Sequence, residues 1–461
     1  MRPSPTLILT ALYALLFVFA VGCSDDRGES PPDKTAREDA NSEASTPQPP
    51  SWTTDPARTT PSAIPVENET IHGYTYGDAT GNRVVEGAGR LPEAPPIDVP
   101  LAGTPLWVVG APLEADTGWV VAYDDGRIDA FRLDSASDEV EPWPISPSEL
   151  PSGAPPAVSV EGERLRLLTA LGDRGSALTH PIDTRTGTLA IDRDGTLLAD
   201  PGEASPLTAL PDARIVESAD GTVAVLSTPT ERYVHGVIGD GLEAASIGVL
   251  RPEGGGYEQS GEMLSESGGV FEALAPLWFR PAKGEDELLA VTESAEGVGT
   301  RVSVYTPDGE LVAAGPFIGT SQKWRHLIAA GPFGPNSETE IAVTRTPHVD
   351  PVTEFHRLDR ESGELRIAAT GEGYPSHTIY SRNLDAARAG DLDGDGVWEL
   401  LVPDESYAGL VALRHEESGV EEAWRLPIGG TLSTNIGSAT DEDGRVAIAV
   451  GTTDGVLRIW R

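Results

Sequence analysis

Asp391-Leu392-Asp393-Gly394-Asp395-Gly396-Val397-Trp398-Glu399, followed at once by Leu400-Leu401-Val402, is the stretch on which the reading of this chain turns. It sets carboxylates at positions 1, 3, 5 and 9 of a tight loop, with glycines at 4 and 6, and then enters an apolar strand. Hard cations such as Ca²⁺ take six to eight oxygens at about 2.3–2.6 Å. Alternate residues of a glycine-relaxed loop can turn their carboxylates to one centre, and the Val397 carbonyl adds an oxygen. An EF-hand would need a bidentate Glu at position 12, and position 12 is Val402, inside the apolar run. The loop is therefore not an EF-hand. Read from the residues alone, it is either a cation loop or an acidic turn between strands.

Asp391 to Val402 resembles the Ca²⁺ loop and following strand of FG-GAP/VCBS repeats, the blades of integrin-type β-propellers. The resemblance implies calcium as cofactor, held by Asp391, Asp393, Asp395, the Val397 carbonyl and Glu399. The family more often has Asp at the ninth position, so Glu399 is a departure that still supplies oxygen. The implied role of the ion is to brace one blade, not to catalyse.

Working outward, apolar runs rich in Val, Leu and Ile alternate with Gly, Pro and Asp from about Val66 onward, with no sustained helical periodicity. Asp-Gly pairs, favoured at hairpin turns because they accept positive φ, stand between such runs at Asp125, Asp194, Asp220, Asp308 and Asp454. Comparable strands begin at Trp119, Leu165, Val223, Leu288, Ile341, Leu400 and Val446, a recurrence of roughly 54 residues, slightly longer than a common four-stranded blade. The expected fold class is all-β, a seven-bladed β-propeller over 66–461. The last repeat ends one strand short, and the segment from His72 to Val85 is expected to supply the missing outer strand. Sites in neighbouring repeats have decayed: aligning Glu340 or Glu287 with Glu399 puts Pro332 and Gly334, or Phe279 and Pro281, where carboxylates belong. Asp441-Glu442-Asp443-Gly444 is too short to match and reads first as a solvated turn.

The N-terminus reads as a targeting segment. Arg2 precedes an apolar run from Leu7 to Phe19, and Ala20-Val21-Gly22-Cys23 resembles a bacterial lipobox. Residues 1–22 are expected to be a lipoprotein signal peptide and Cys23, the single cysteine of the chain, its acylated residue. An uncleaved anchor is the rival, although the run is short against the ~20 residues of a membrane span. Ser24 after the cysteine favours the outer membrane if the cell is Gram-negative. Residues 23–65 are rich in Pro, Ser, Thr and acids with little that is apolar. They cannot bury enough surface to offset ordering entropy and should form a disordered linker.

The formal net charge is −40, from 73 acidic and 33 basic residues, of which only Lys34, Lys283 and Lys323 are lysines. Such a surface repels phosphate backbones, which excludes nucleic acid as a partner class. No nucleophile elbow or phosphate-cradling loop occurs, and acylated Cys23 is not a nucleophile. Zinc between His348 and His356, around Asp350, competes with a plain surface loop. Lys323-Trp324-Arg325-His326 and Tyr380-Ser381-Arg382-Asn383 lead into innermost strands. Lys323, Trp324, Arg325, Arg382 and Asn383 are thus candidates for a ligand face suited to an acidic peptide or a sugar. The competing reading packs Trp324 between blades and pairs the arginines with local acids. The sequence favours a non-enzymatic, lipid-anchored envelope protein that binds a protein or glycan. The alternatives are a polysaccharide hydrolase or lyase, and a scaffold for outer-membrane protein assembly.

Overall fold

The computed structural model describes residues 71–93, 95–169, 174–202, 206–233, 235–320 and 323–461. The expected signal peptide, Cys23 and the linker to residue 65 lie outside them. Every regular element among the described residues is a strand. The strands form successive antiparallel sheets, each built from hairpins in which a strand neighbours the next in sequence.

The first blade is Pro105–Leu113, Asp116–Tyr123, Ile128–Leu133 and Val140–Pro142. The second is the hairpin Val158–Glu161 and Arg164–Leu167, flanked by Ile71–Gly73 and Ile145–Ser146. Ile182–Thr184, Gly187–Ile191 and Leu197–Asp200 make the third. The fourth to seventh start at Val216–Glu217, Val270–Phe279, Arg325–Gly331 and Arg388–Asp391. The eighth is Gly437–Thr440, Val446–Gly451 and Val456–Trp460. The described residues thus form eight blades, not the expected seven. The strands expected at Trp119, Leu165, Val223, Leu288, Ile341, Leu400 and Val446 fall in the second strands of seven of them. The overlooked second strand is Gly187–Ile191, whose apolar run is only Leu189-Ala190-Ile191.

Apolar side chains on both faces of each blade pack against the neighbouring blades, and these contacts close the ring. One buried cluster joins Val109 and Val120 of the first blade to Val158 and Leu165 of the second. Others join the fifth blade to the sixth through Leu288 and Ile341, and the sixth to the seventh through Phe355 and Leu400. The seventh meets the eighth through Leu410 and Trp460. Trp119 and Val121 then pack on Ala449 and Ile459, so the eighth blade meets the first. Burying each such side chain contributes about 1.5–3 kcal/mol. The fold is a β-propeller.

The eighth blade does take its outer strand from the N-terminal side, but from Ile97–Pro100, antiparallel to Val456–Trp460 with Ile97 opposite Ile459. The segment from His72 to Val85 has a different place. Ile71–Gly73 pairs with the second blade. The Ala79 carbonyl accepts the Glu217 N–H of the fourth, and the Thr80 carbonyl that of Trp278 in the fifth. Asn82 exchanges two hydrogen bonds with Ala330 of the sixth, at 2.8 and 3.1 Å. Val84–Ala88 runs parallel to Arg388–Asp391 of the seventh, and Ala88 N–H reaches Gly444 O at the foot of the eighth. One segment can reach the inner strands of so many blades only from the axis. Residues 71–91 fill the central channel.

Candidate functional site

The acidic loop joins the first two strands of the seventh blade on the lower face, where the inner strands end. Ligand oxygens of Asp391, Asp393 and Asp395 lie within 4.8 Å of one another. Asp391 is oriented by the N–H groups of Gly394 and Gly396, at 2.8 and 3.1 Å, and Asp395 by that of Val397 at 2.8 Å. Val397 itself is exposed. Three converging hard oxygen donors on a glycine-relaxed turn fit a calcium ion.

Glu399 departs from the expected ligand role. It is fully buried, accepts the Leu392 N–H at 2.9 Å and is held by Arg414, whose Nε lies 2.7 Å away. Arg414 Nη2 continues to Asp393 and Asp395 at 2.8 and 2.9 Å. Burial pushes the Glu399 carboxyl up, against the pull of Arg414, to about 7. The sixth blade repeats this pair without any aspartates: Glu340 lies opposite Arg357, which bonds it at 2.9 Å through Nε. A Glu–Arg pair that persists where the acidic loop is lost serves the sheet, so the converging oxygens in this loop are those of Asp391, Asp393 and Asp395. Three aspartates against one guanidinium still leave the loop negative.

The loop also anchors the channel segment. Gly89 N–H donates to Asp391 O at 2.9 Å and Leu91 N–H to Leu392 O at 3.1 Å. A Cβ on Gly89 would stand 1.9 Å from Leu392 O, so only glycine permits this approach. Asp441 caps its own turn by accepting the Asp443 and Arg445 N–H groups, as a solvated turn does.

On the upper face the channel segment meets a buried ionic cluster. Asp385, with no exposed side-chain surface, accepts Arg83 Nε at 3.0 Å and Arg214 Nη1 at 2.8 Å. Burial alone would raise this carboxyl, but Arg214 and Arg83 hold it well below the usual range. Arg83 also donates to Leu327 O and Ile328 O, and Arg388 to Ala387 O and Thr75 O. These contacts lock the segment between blades.

The candidate ligand face is largely turned inward. Arg325 is fully buried, its Nε 2.8 Å from Glu354, which Arg345 and His356 also contact at 2.8 and 2.9 Å. Trp324 is buried among His326, His348 and His377, with ring centroids 5.4, 6.4 and 5.0 Å away. Arg382 reaches across the mouth to Asp212 at 2.9 Å and to Asp240, and Asn383 donates to Leu106 O. Lys323 alone of the five is exposed. The loop carrying Arg382 also bonds through Tyr380 N–H to Val237 O, and so lids the channel. Near the Arg382 ion pairs, His235 Nδ1 lies 2.7 Å from Glu272. Burial, then Glu272, Asp240 and Asp212, push the adjacent Glu243 up to about 10.

His348 and His356 do not meet as a zinc pair. His356 is buried against Glu354, whereas His348 points to His377, with Nε2 atoms 2.8 Å apart. Both rings line an upper-face groove of about 400 Å³ with Asp350, Ile379, Glu405 and Tyr407. Val349, Ile379 and Tyr380 on its rim are 66, 48 and 72% exposed. Sequence reasoning missed His377, Arg414 and Asp385. Strand register gave a signal only for Arg414, opposite Glu399.

No family model matches this sequence, and no curated protein matches it either. Among solved structures, the chain is similar to BamB from Moraxella catarrhalis, at 11% identity and a TM-score of 0.41 over 80% of this chain and 98% of that one. It is similar to BBS1N, solved in complex with ARL6DN, at 12% and 0.41 over 79% and 94%. The WD40 domain of Toxoplasma gondii coronin gives 10% and 0.37 over 81% and 88%. Overlaps this shallow say nothing of what the present chain binds.

Proposed function

We propose that this protein is a non-enzymatic, lipid-anchored module of the cell envelope that holds a protein partner on the upper face of a calcium-braced, FG-GAP/VCBS-like propeller. The observation that carries the reading is the rim of Val349, Ile379 and Tyr380 around an open groove. Exposed apolar and aromatic side chains beside a concavity suit a protein contact. The lipobox-like Cys23 and the linker would tether the propeller to the membrane, and the −40 charge favours a partner with a basic rim.

The test is capture from native envelopes with full-length protein. A partner should be retained by the wild type and lost from an Ile379→Glu/Tyr380→Glu variant, while Cys23→Ser should move the protein to the soluble fraction. Equal capture by the variant would refute the binding face, and membrane retention of Cys23→Ser would refute the lipid anchor. A membrane insertion complex as the captured partner would specify the assembly-scaffold reading. The buried Glu243, Glu272 and His235 group favours a second reading, a polysaccharide-active enzyme. Cleavage of envelope polysaccharide that Glu243→Gln abolishes would select it.

Calcium is expected to stabilise the protein by about 1.4 kcal/mol at ten times its dissociation constant. Asp393→Ala/Asp395→Ala should remove the gain, while Arg414→Gln should tighten binding by freeing both aspartates, provided the variant folds. Melting that ignores both calcium and chelator would refute the site.

A further inference from the structure

We propose that His348 and His377 form a binding site for a divalent transition-metal ion, open to the upper-face groove and separate from the acidic loop below. The two residues lie 29 positions apart, on different loops of the same face. Their Nε2 atoms face each other 2.8 Å apart, with the ring planes at 87°. Imidazole nitrogens bind such ions at about 2.0–2.1 Å, so a tetrahedral site needs them about 3.3 Å apart. His348 is only half-buried on a groove loop, and can supply that half-ångström shift.

The surroundings hold the pair as ligands are held. The Nδ1 of His377 contacts Ser376 Oγ at 3.1 Å, and Ser376 in turn contacts His326 Nδ1 at 2.8 Å. With Nδ1–H of His377 donated to the serine, its Nε2 lone pair faces His348. Metal-bound histidines are fixed in the same way through the second ring nitrogen. On metal binding the Nε2 proton of His348 moves to its own Nδ1, so that both rings coordinate as neutral imidazoles without net proton release. Trp324 packs against both rings and limits their rotation.

Two nitrogen donors select Zn²⁺, Ni²⁺ or Cu²⁺ over calcium and magnesium, which prefer oxygen. Among the described residues no third His, Cys, Asp or Glu completes a cluster with this pair. The remaining positions therefore fall to water or to an incoming donor, with Asp350 and Glu405 on the groove wall. That is an open site, unlike a closed structural zinc centre.

The test is calorimetric titration of full-length protein with Zn²⁺ in excess Ca²⁺, which keeps the acidic loop occupied, with Co²⁺ absorption as a second readout. One equivalent of Zn²⁺ should bind, with loss in His348→Gln and His377→Gln and weakening of about tenfold or more in Ser376→Ala. Circular dichroism checks each fold. Should buried His377→Gln not fold, the half-exposed His348→Gln decides. No uptake at micromolar Zn²⁺, or equal uptake by a folded His348→Gln, overturns the assignment and leaves the pair as a packing hydrogen bond.

Discussion

Asp385→Ala is expected to destabilise the propeller by about 3–5 kcal/mol, the loss typical when one partner of a buried ion pair is removed. The carboxylate accepts bonds from Arg83 of the channel segment and Arg214 ahead of the fourth blade. Arg388, also buried, starts the innermost strand of the seventh blade. Without Asp385 three guanidinium groups share the channel with their charge uncompensated. Their bonds to Leu327 O, Ile328 O, Ala387 O and Thr75 O satisfy protons but do not cancel charge. Typical domains have about 5–15 kcal/mol in all, so a large part of the stability would go. Asp385→Asn, which keeps the shape and one acceptor, should cost a smaller amount. Urea unfolding measures both, and a shift below about 1 kcal/mol for Asp385→Ala would show that the cluster does not hold the segment.

Acidification is expected to destabilise the protein through His180. This ring is buried against Tyr74 and Tyr76, with centroids 5.4 and 5.3 Å away, and its Nδ1 contacts Pro181 O at 2.9 Å. Its Nε2 has no partner. Burial, with the Arg214 charge nearby, lowers its pKa from 6.5 to about 4. The folded state therefore refuses a proton that the unfolded chain accepts, and stability is full above pH 6.5 and falls as pH drops towards 4. The loss from pH 7.5 to 4.5 amounts to about 2–3 kcal/mol. His180→Phe keeps the stack and removes the titration, so its stability should fall by that much less over the same range. Glu243, pushed up to about 10, acts in the opposite direction, but it is common to both proteins and cancels in the difference. Parallel pH profiles for the two would sink the argument.

Local patterns carry local structure. Alternating apolar residues and Asp-Gly turns depend on neighbours a few positions apart, and they disclosed the strands, the hairpins and the propeller. The spacing of Asp391, Asp393 and Asp395 disclosed the converging loop, because three alternate residues of one turn need no distant help to meet. The third blade escaped because its second strand offers only Leu189-Ala190-Ile191 against the chance background of short apolar runs.

The sequence by itself determined the all-β pattern of successive hairpins, the acidic loop and the net charge of −40. Tertiary structure alone decided that Ile97–Pro100 and not His72–Val85 clasps the ring, and that residues 71–91 fill its axis. It also decided that Glu399 answers to Arg414 and that His348 finds His377. Apart from the Glu399–Arg414 pair, which neighbouring strands of one blade bring together, each of these is a contact between segments far apart in the chain that meet only when the blades assemble. Closure is set by the fit of whole blades, which no short window of sequence contains.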